Sequence, residues 1–220
     1  MYGQFFRNAF TPRQQGIVRS ATFAIIGLGG TGGFILENLL RMGAERFIIF
    51  DHDRFELTNF NRQLLATIAS IDEPKADAAL ARAKDINPSV KMDMRGEFNA
   101  HSSFAGMDLL LDGSDNLKTK LAAAKLAEGK KIPYVLCSAS GTRGIVSVFR
   151  NYSFRKAFQV SGEGKGRQSS RILCPAAALA GTLAASQAVN CLIGKPFVRA
   201  PDALFFDIFS KRLFWRARLG

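Results

Sequence analysis

Short apolar runs alternate with longer amphipathic segments through the first half of the chain. The runs "ATFAIIG" and "RFIIFD" are typical of buried strands, and "TGGFILENLLRMG" between them repeats its apolar residues at helical spacing. Downstream, "VKMDMRGEF" and "MDLLLDGSD" predict strands, and "KADAALARAKDINP" and "NLKTKLAAAKLAEGK" predict helices. This alternation predicts an α/β fold, with a Rossmann-like, mainly parallel sheet and helices on both faces.

The last third of the chain predicts a C-terminal antiparallel extension of this sheet. "YVLCSAS" and "GIVSVF" are typical of strands, "AAALAGTLAASQAVNCLIG" is an alanine-rich helix, and "ALFFDIF" with "RLFWRARL" predicts a hairpin. Residues 155–171 lack an apolar period and are rich in Gly, Ser and charge, which predicts a mobile crossover loop and a candidate lid. We expect residues 1–220 to form a single domain.

The composition is 47% hydrophobic and 22% charged over 220 residues, which is typical of a globular protein with one substantial core. No apolar run approaches the roughly 20 residues of a membrane-spanning helix, and the N-terminus lacks the pattern of a signal peptide. We therefore expect a cytoplasmic protein that does not contact a membrane.

The net charge of +12 is high for this length, and the basic residues cluster late, in "FRKAF", "GKGRQSSR" and "SKRLFWRARLG". Positive potential attracts phosphates and nucleic acid alike. The charge therefore indicates either an anionic partner or a basic solvated surface.

Three cysteines, Cys137, Cys174 and Cys191, are odd in number and form no CxxC pair. Neither a disulfide framework nor a four-thiolate zinc site is indicated. We expect Cys137 and Cys191 in the core. Cys174 is interpreted as a small buried hydrophobe, with a reactive thiol near a helix start as the alternative.

A glycine-rich turn follows the first predicted strand. In "GLGGTG", Gly27, Gly29 and Gly32 satisfy G-x-G-x-x-G between a strand and a helix, and Asp51 ends the next strand at a spacing suited to a ribose hydroxyl. Backbone without side chains lets phosphate oxygens approach the amide groups at the helix start. The pattern predicts a nucleotide site, whereas close strand-helix packing is the alternative use of the glycines.

The fingerprint itself does not separate a dinucleotide from ATP, because both carry a diphosphate and a ribose. Asn59 and Arg62 follow Asp51, and Lys75 begins the next predicted helix. An arginine and a lysine converging on the phosphates suit a triphosphate whose pyrophosphate leaves. The sequence therefore favours ATP.

Two further acids follow a buried strand in "LLLDGSDN". Asp115 at the turn after Asp112 is the candidate ligand of Mg²⁺, which takes one or two carboxylates together with phosphate oxygens and waters. The alternative is that Asp115 or Asn116 caps the helix that begins "NLKTK".

Six motifs occur in a specific order over almost the whole chain: "GLGGTGG", "DHD", "TNFNRQ", "PK", "DGSDN" and "GTLAASQAVNCLIGK". In this combination the sequence resembles the HesA/MoeB/ThiF family, relatives of the ubiquitin-activating enzymes that adenylate a carboxylate and release pyrophosphate. The resemblance implies in-line attack of a carboxylate on the α-phosphorus of MgATP, with catalysis resting on Arg62, Lys75 and Asp115 with its magnesium.

The resemblance also implies a set of nucleotide-binding positions. They are Gly27, Gly29 and Gly30 on the phosphates, Asp51 on the ribose with Asp53 beside it, Asn59, Arg62 and Lys75 on the phosphates, and Asp115 by the metal. The segment "FFRN" is similar to the family's N-terminal arginine segment, so Arg7 is expected to reach the site of a second subunit. This implies a homodimer.

The chain departs from the family pattern at its cysteines. Many members hold a structural zinc with two CxxC pairs, and this sequence has neither pair, so we expect no zinc. Members that form a thioester carry a cysteine on the crossover loop, whereas residues 155–171 contain none. We therefore expect adenylation without thiol transfer.

Three acceptors are consistent with the resemblance. We favour a small-molecule carboxylate in cofactor biosynthesis, because the compact form without zinc resembles the activating enzyme for the guanylylpyridinol cofactor of iron hydrogenase. The others are the C-terminal glycine of a ubiquitin-like sulfur carrier and a carboxylate on tRNA, as in threonylcarbamoyladenosine dehydration. Two hypotheses from other functional classes are an NAD-dependent oxidoreductase and a non-catalytic nucleotide-binding scaffold.

Overall fold

The computed structural model describes residues 3–99, 101–103, 105–159 and 171–220. The helices of this part are α1 (Pro12–Ser20), α2 (Gly32–Arg41), α3 (Lys75–Ile86), α4 (Leu117–Lys130), α5 (Phe154–Phe158) and α6 (Cys174–Leu192). The strands are β1 (Thr22–Ile26), β2 (Arg46–Phe50), β3 (Lys91–Met94), β4 (Leu109–Asp112), β5 (Tyr134–Ser140), β6 (Arg143–Phe149), β7 (Asp202–Asp207) and β8 (Phe214–Arg218).

All eight strands belong to one sheet in the order β3-β2-β1-β4-β5-β6-β7-β8. Pairing is parallel from β3 to β5 and antiparallel from β5 to β8. The predicted parallel sheet and its C-terminal antiparallel extension are confirmed. The strand order reverses between β1 and β4, and in open α/β sheets such a switch point forms a crevice at the carboxyl ends of the strands.

Apolar layers cover both faces of the sheet. One layer joins the buried sides of α1, α2, α3 and α6 to the strands, and the other joins α4 and α5 to the opposite face. Strands β1, β2 and β4 are buried on both faces, which explains why their sequences are continuous apolar runs. The edge strand β3 alternates exposed and half-buried residues. This sandwich holds the carboxyl ends of β1, β2 and β4 in place around the switch point.

Two helices differ from the sequence-based expectations. Helix α1 was not predicted, although its start carries a capping box in which Thr11 and Gln14 bond each other's backbone amides. Helix α5 occupies the start of the predicted mobile loop 155–171, so that prediction is wrong for its first residues. Burial of Phe154 and Ala157 against an aromatic cluster orders this turn. Residues 160–170 lie outside the described part.

The cysteines follow the prediction at two of three positions. Cys137 and Cys191 are buried, as expected. Cys174 is only half-buried and is the first residue of α6, so its interpretation as a buried hydrophobe is wrong. The apolar neighbour Leu173 is itself 42% exposed, so apolar residues beside Cys174 in the sequence did not indicate burial. Within the described residues, no helix combines the length and apolar character that crossing a bilayer requires.

Candidate functional site

A crevice of about 320 Å³ opens at the carboxyl ends of the parallel strands. Its lining includes nearly all of the predicted nucleotide-site residues, namely Gly27, Gly29, Gly30, Asp51, Asp53, Arg62, Lys75 and Asp115. Residues separated by up to 88 positions in the sequence therefore meet at the switch point of the sheet, as the parallel topology requires.

The structure explains in different ways why two positions of the turn between β1 and α2 are glycines. A methyl group on Gly32 would lie 1.8 Å from the carbonyl oxygen of Gly27, so Gly32 permits the helix to pack against the strand. Gly27 has a φ of +79°, which favours glycine.

Neither close packing nor a positive φ explains why Gly29 and Gly30 are glycines. A methyl group on Gly29 would lie 3.8 Å from the nearest side-chain atom, and one on Gly30 would make contacts of 3.4 Å or longer. The space that these side chains would fill is the crevice at the start of α2. Backbone free of side chains at a helix start fits a phosphate.

Asp51 at the end of β2 is oriented by two backbone amides. Its Oδ2 accepts from the amide of Leu28 at 2.6 Å, and its Oδ1 accepts from the amide of Asp53 at 2.9 Å. Because each carboxylate oxygen has more than one acceptor position, the fixed carboxylate retains capacity for a ligand hydroxyl. Asp51 thereby ties the glycine turn to the next strand.

Lys75, the first residue of α3, is only 5% exposed. Its Nζ lies 2.8 Å from Oδ2 of Asp53 and 6.0 Å from the centroid of the Phe55 ring. The backbones of the two charged residues are also joined, because the amide of Lys75 donates to the carbonyl of Asp53 at 2.9 Å. The lysine is thus a buried cation with one carboxylate partner whose side chain is 55% exposed.

Arg62 is held by neutral acceptors. Its Nη1 donates to the carbonyl of Thr58 and to Oδ1 of Asn61, both at 2.8 Å. A guanidinium has five N–H donors, so this arrangement leaves donors for a ligand in the crevice.

Asn59 and Arg7 are not brought to the crevice. Asn59 is buried, and its Oδ1 accepts from the amide of Glu56 at 3.2 Å, which braces a short 3-10 turn. Its carbonyl accepts the amides of Arg62 and Gln63, so its contact with the site runs through the backbone. Arg7 is exposed on the segment before α1.

Asp115 is an exposed residue of the turn between β4 and α4 that lines the crevice. The side chain of Asn116 caps α4 by accepting from the amide of Thr119 at 2.8 Å. Of the two capping alternatives, the structure therefore selects Asn116.

A buried polar network lies beneath this turn, and no sequence motif indicated it. Asp112 is fully buried and accepts from the hydroxyl of Tyr134 at 2.5 Å, from Nζ of Lys120 at 3.3 Å and from both the amide and hydroxyl of Ser114. Lys120 also donates to the carbonyls of Ser114 at 2.7 Å and Cys137 at 3.1 Å.

The network holds the backbone that leads to Asp115. Burial, with the charge of Asp112, raises the pKa of Tyr134 well above its usual value, so the phenol remains a donor. The signal for the network was Asp112, an acid at the end of an apolar strand. Its partners Lys120 and Tyr134 come from two other elements, so they carry no common motif.

The charge inside the crevice is not the charge of the whole chain. Apart from His52, its ionisable lining consists of four carboxylates and two cations, which are Asp51, Asp53, Glu97 and Asp115 with Arg62 and Lys75. A polyphosphate entering this site would need added positive charge. Within the described residues, no group of three or more His, Cys, Asp or Glu side chains forms a metal site. A magnesium ion that brings phosphate oxygens as ligands would fit this donor set.

Comparison with known proteins agrees with this architecture. A model described as the ThiF family matches residues 4–219. The tRNA threonylcarbamoyladenosine dehydratase of Bacillus subtilis is 32% identical over 142 residues, covering 61% of this chain and 56% of that protein. The sulfur carrier protein adenylyltransferase of Thermus thermophilus is 31% identical over 145 residues, covering 64% of this chain and 53% of that protein.

The chain spans about half the length of these curated relatives. Among solved structures, that of Escherichia coli MccB with ATP superposes with a TM-score of 0.77 at 15% identity and covers 94% of this chain and 66% of that one. At this identity the superposition establishes the fold.

Proposed function

The chain belongs to the ThiF family, and from this premise we propose that it is an ATP-dependent adenylyltransferase that activates a carboxylate and releases pyrophosphate. The observation that carries the proposal is the grouping of Lys75 and Arg62 with the open backbone of Gly29 and Gly30 in one crevice. The proteins named above as adenylyltransferase and dehydratase, and the ATP in the MccB structure, support this choice.

We assign the nucleotide to this crevice as follows. The amides of Gly29 and Gly30 receive phosphate oxygens, and Asp51 accepts from the ribose. Lys75 and Arg62 contact the phosphates, and Asp53 releases Lys75 to them. Asp115 holds magnesium, whose chemistry is to neutralise charge on the phosphates.

The proposed reaction needs no nucleophile from the protein. A carboxylate oxygen of the acceptor forms a bond to the α-phosphorus, the bond from that phosphorus to the pyrophosphate oxygen breaks, and the electron pair leaves with pyrophosphate. No proton is transferred, because the acceptor is already ionised at neutral pH. Arg62 and Lys75 stabilise the charge that develops on the leaving group.

For the acceptor we propose a small-molecule carboxylate used in cofactor biosynthesis, with guanylylpyridinol as the model. The small side chains of Ser138, Ala139 and Ser140 line the crevice at the end of β5 and leave space for a carboxylate beside the nucleotide. We further propose that Arg7 of a second copy completes the site in a cytoplasmic homodimer, because Arg7 is exposed and outside its own crevice.

A carboxylate carried on RNA is a second candidate acceptor, and the charge distribution favours it. Residues 116–220 hold a net charge of +14, whereas residues 1–115 hold −2. The crevice carries little of this excess, so the positive surface lies outside it, where a long polyanion would contact the protein. The tRNA-directed relative named above also supports this candidate.

Magnesium-dependent ATP-pyrophosphate exchange tests the proposal. The purified chain is assayed in parallel with a small-molecule extract, a ubiquitin-like carrier ending in glycine, and total tRNA. Exchange stimulated by one fraction establishes adenylation and its acceptor class. Absence of exchange with every fraction, together with tight binding of a nicotinamide dinucleotide, would replace the proposal with the oxidoreductase.

Lys75→Ala and Arg62→Ala should each reduce exchange by about 100-fold or more, because each removes charge that stabilises the leaving pyrophosphate. Lys125→Ala is the matched control, since Lys125 is exposed on α4 and outside the crevice. Cys174→Ala should also retain exchange, because the proposed step uses no thiol. Loss of exchange in Cys174→Ala would contradict the assigned mechanism.

A further inference from the structure

Gln63 follows Arg62 directly and lines the same crevice, yet its carboxamide has an unmet hydrogen-bonding requirement. The residue is 7% exposed, and its Oε1 is buried without a hydrogen-bond partner among the described residues. In that part of the chain, one other buried side-chain atom is unsatisfied, Nδ2 of Asn87, which is not part of the crevice lining. An orphaned buried amide oxygen is rare in native structures and needs a cause.

The backbone around Gln63 is firmly placed. Its amide donates to the carbonyl of Asn59 at 2.9 Å, and its own carbonyl accepts from the amide of Ala66 at 3.1 Å. Disorder of the segment therefore does not explain the missing partner. Among the described residues no donor holds Oε1 where it lies, so turning the carboxamide breaks no bond to that oxygen.

The carboxamide lies next to the phosphate-binding turn. A methyl group on Gly29 would lie 3.8 Å from Nε2 of Gln63, so the amide borders the space that the absent side chain of Gly29 leaves open. An amide group offers two donors and an acceptor, and a nucleotide offers phosphate oxygens and ribose hydroxyls. The chemistry of the two sides is complementary.

We propose that Gln63 is a nucleotide-contacting residue, whose carboxamide turns into the crevice, donates to a phosphate oxygen beside Gly29 and accepts from a hydroxyl of the ribose. The inference rests on the proposed nucleotide site. It adds a neutral hydrogen-bonding contact to those of the cations Arg62 and Lys75.

The test uses Gln63→Leu, which keeps the size of the side chain and removes its polar atoms. Thermal unfolding of the ligand-free variant should occur at or above the wild-type Tm, because an unpaired buried oxygen is removed. Titration calorimetry with ATP and magnesium should show about tenfold weaker binding, because the variant loses a hydrogen bond to a charged phosphate oxygen. The increase in Tm that ATP produces should shrink accordingly.

Gln187→Leu is the matched control. The Oε1 of Gln187 accepts from the amide of Val198 at 2.6 Å, and the residue lies outside the crevice lining. This variant should lower the ligand-free Tm and leave the Kd for ATP unchanged. A Tm that falls in Gln187→Leu but not in Gln63→Leu separates a hydrogen-bonded glutamine oxygen from an unpaired one.

The outcomes separate this inference from the proposed function. If the wild-type protein binds ATP and the Gln63→Leu variant binds it with the same Kd, the role of Gln63 is overturned and the proposed nucleotide site stands. Wild-type protein that binds no ATP would overturn the nucleotide site and this inference together. If Gln63→Leu does not fold, Gln63→Met, unbranched and of similar length, takes its place with the same expected Kd.

Discussion

At the residue scale, the two cations of the crevice differ in what balances their charge. Lys75 is buried, and its ammonium is compensated by Asp53. Because an uncompensated buried charge is costly, Asp53 lets the lysine occupy its position before a ligand arrives. Arg62 is half-buried and bonds only neutral oxygens in the described contacts, so its full charge is available to an anion. A phosphate would therefore compete with the carboxylate of Asp53 for Lys75, whereas at Arg62 it would compete only with neutral oxygens in the described contacts.

The three cysteines should differ in their reactivity. Burial raises the pKa of the Cys137 thiol to about 12. The positive charge of nearby Lys120 lowers this pKa, but by less than burial raises it. Burial also raises the pKa of Cys191. Since the thiolate is the nucleophile, iodoacetamide at about pH 8 should alkylate half-buried Cys174 first, and Cys137 only after unfolding. Intact mass and peptide mapping over time measure this order, and equal native labelling of Cys137 and Cys174 would contradict it.

At the element scale, the small residues of α6 permit close packing against α2. A methyl group on Gly181 would lie 2.5 Å from the carbonyl oxygen of Thr31 and 2.8 Å from Cβ of Phe34. The alanines on the buried side of α6 continue this close contact toward β5 and β6. The position of α2, whose first turn borders the crevice, therefore depends on the small size of the residue at position 181.

Gly181→Ala should destabilise the protein by about 1–3 kcal/mol, because the added methyl group forces two packed helices apart. Gly129→Ala is the matched control, since Gly129 lies in α4 and an added methyl group there would have no neighbour within 4 Å. That substitution should stabilise the helix by up to about 1 kcal/mol, because alanine has the higher helix propensity. Urea unfolding of both variants measures the difference, and a Gly181→Ala variant as stable as wild type would show that α2 moves freely.

At the scale of the whole molecule, positive charge and the sheet edge coincide. Strand β8 ends the sheet, and its exposed Arg216 and Arg218 form no ion pair within the described residues. Exposed Phe209 and Phe214 lie on and beside the same hairpin. Cations interleaved with aromatic rings suit RNA, which offers phosphates and stacking bases.

If the acceptor is carried on RNA, replacing both arginines of β8 should weaken its binding. Arg216→Ser with Arg218→Ser should lower the affinity for tRNA and reduce the salt slope by up to about 2, because two phosphate contacts are lost. Arg46→Ser with Lys91→Ser makes the same charge change on paired residues of β2 and β3, near the other sheet edge. Fluorescence anisotropy at several salt concentrations measures both pairs. Equal losses in the two would indicate a response to net charge alone.

Much of the fold was predictable because its signals are local. Strands β1 and β2 are continuous apolar runs, and α2 repeats its apolar residues on one face, so the hydrophobic pattern identified all three. Helix α5 was not identified, because its order comes from packing Phe154 against rings that lie elsewhere in the sequence. Helix α1 had a local signal in Thr11 and Gln14, which the hydrophobic pattern does not register.

The sequence by itself determined the α/β class and, through the spacing of glycines, acids and bases, the grouping of Asp51, Lys75 and Asp115 at one crevice. Parallel strands bring their carboxyl ends to one edge, so the order of motifs along the chain implies their meeting in space. Only the tertiary structure decided that Asn59 turns away from the crevice and that Asp112, Lys120 and Tyr134 support its floor. Only the structure revealed that Oε1 of Gln63 is buried with no hydrogen-bond partner among the described residues. The physical reason is that burial and hydrogen-bond satisfaction belong to the surroundings of a side chain, and residues far apart in the chain supply those surroundings.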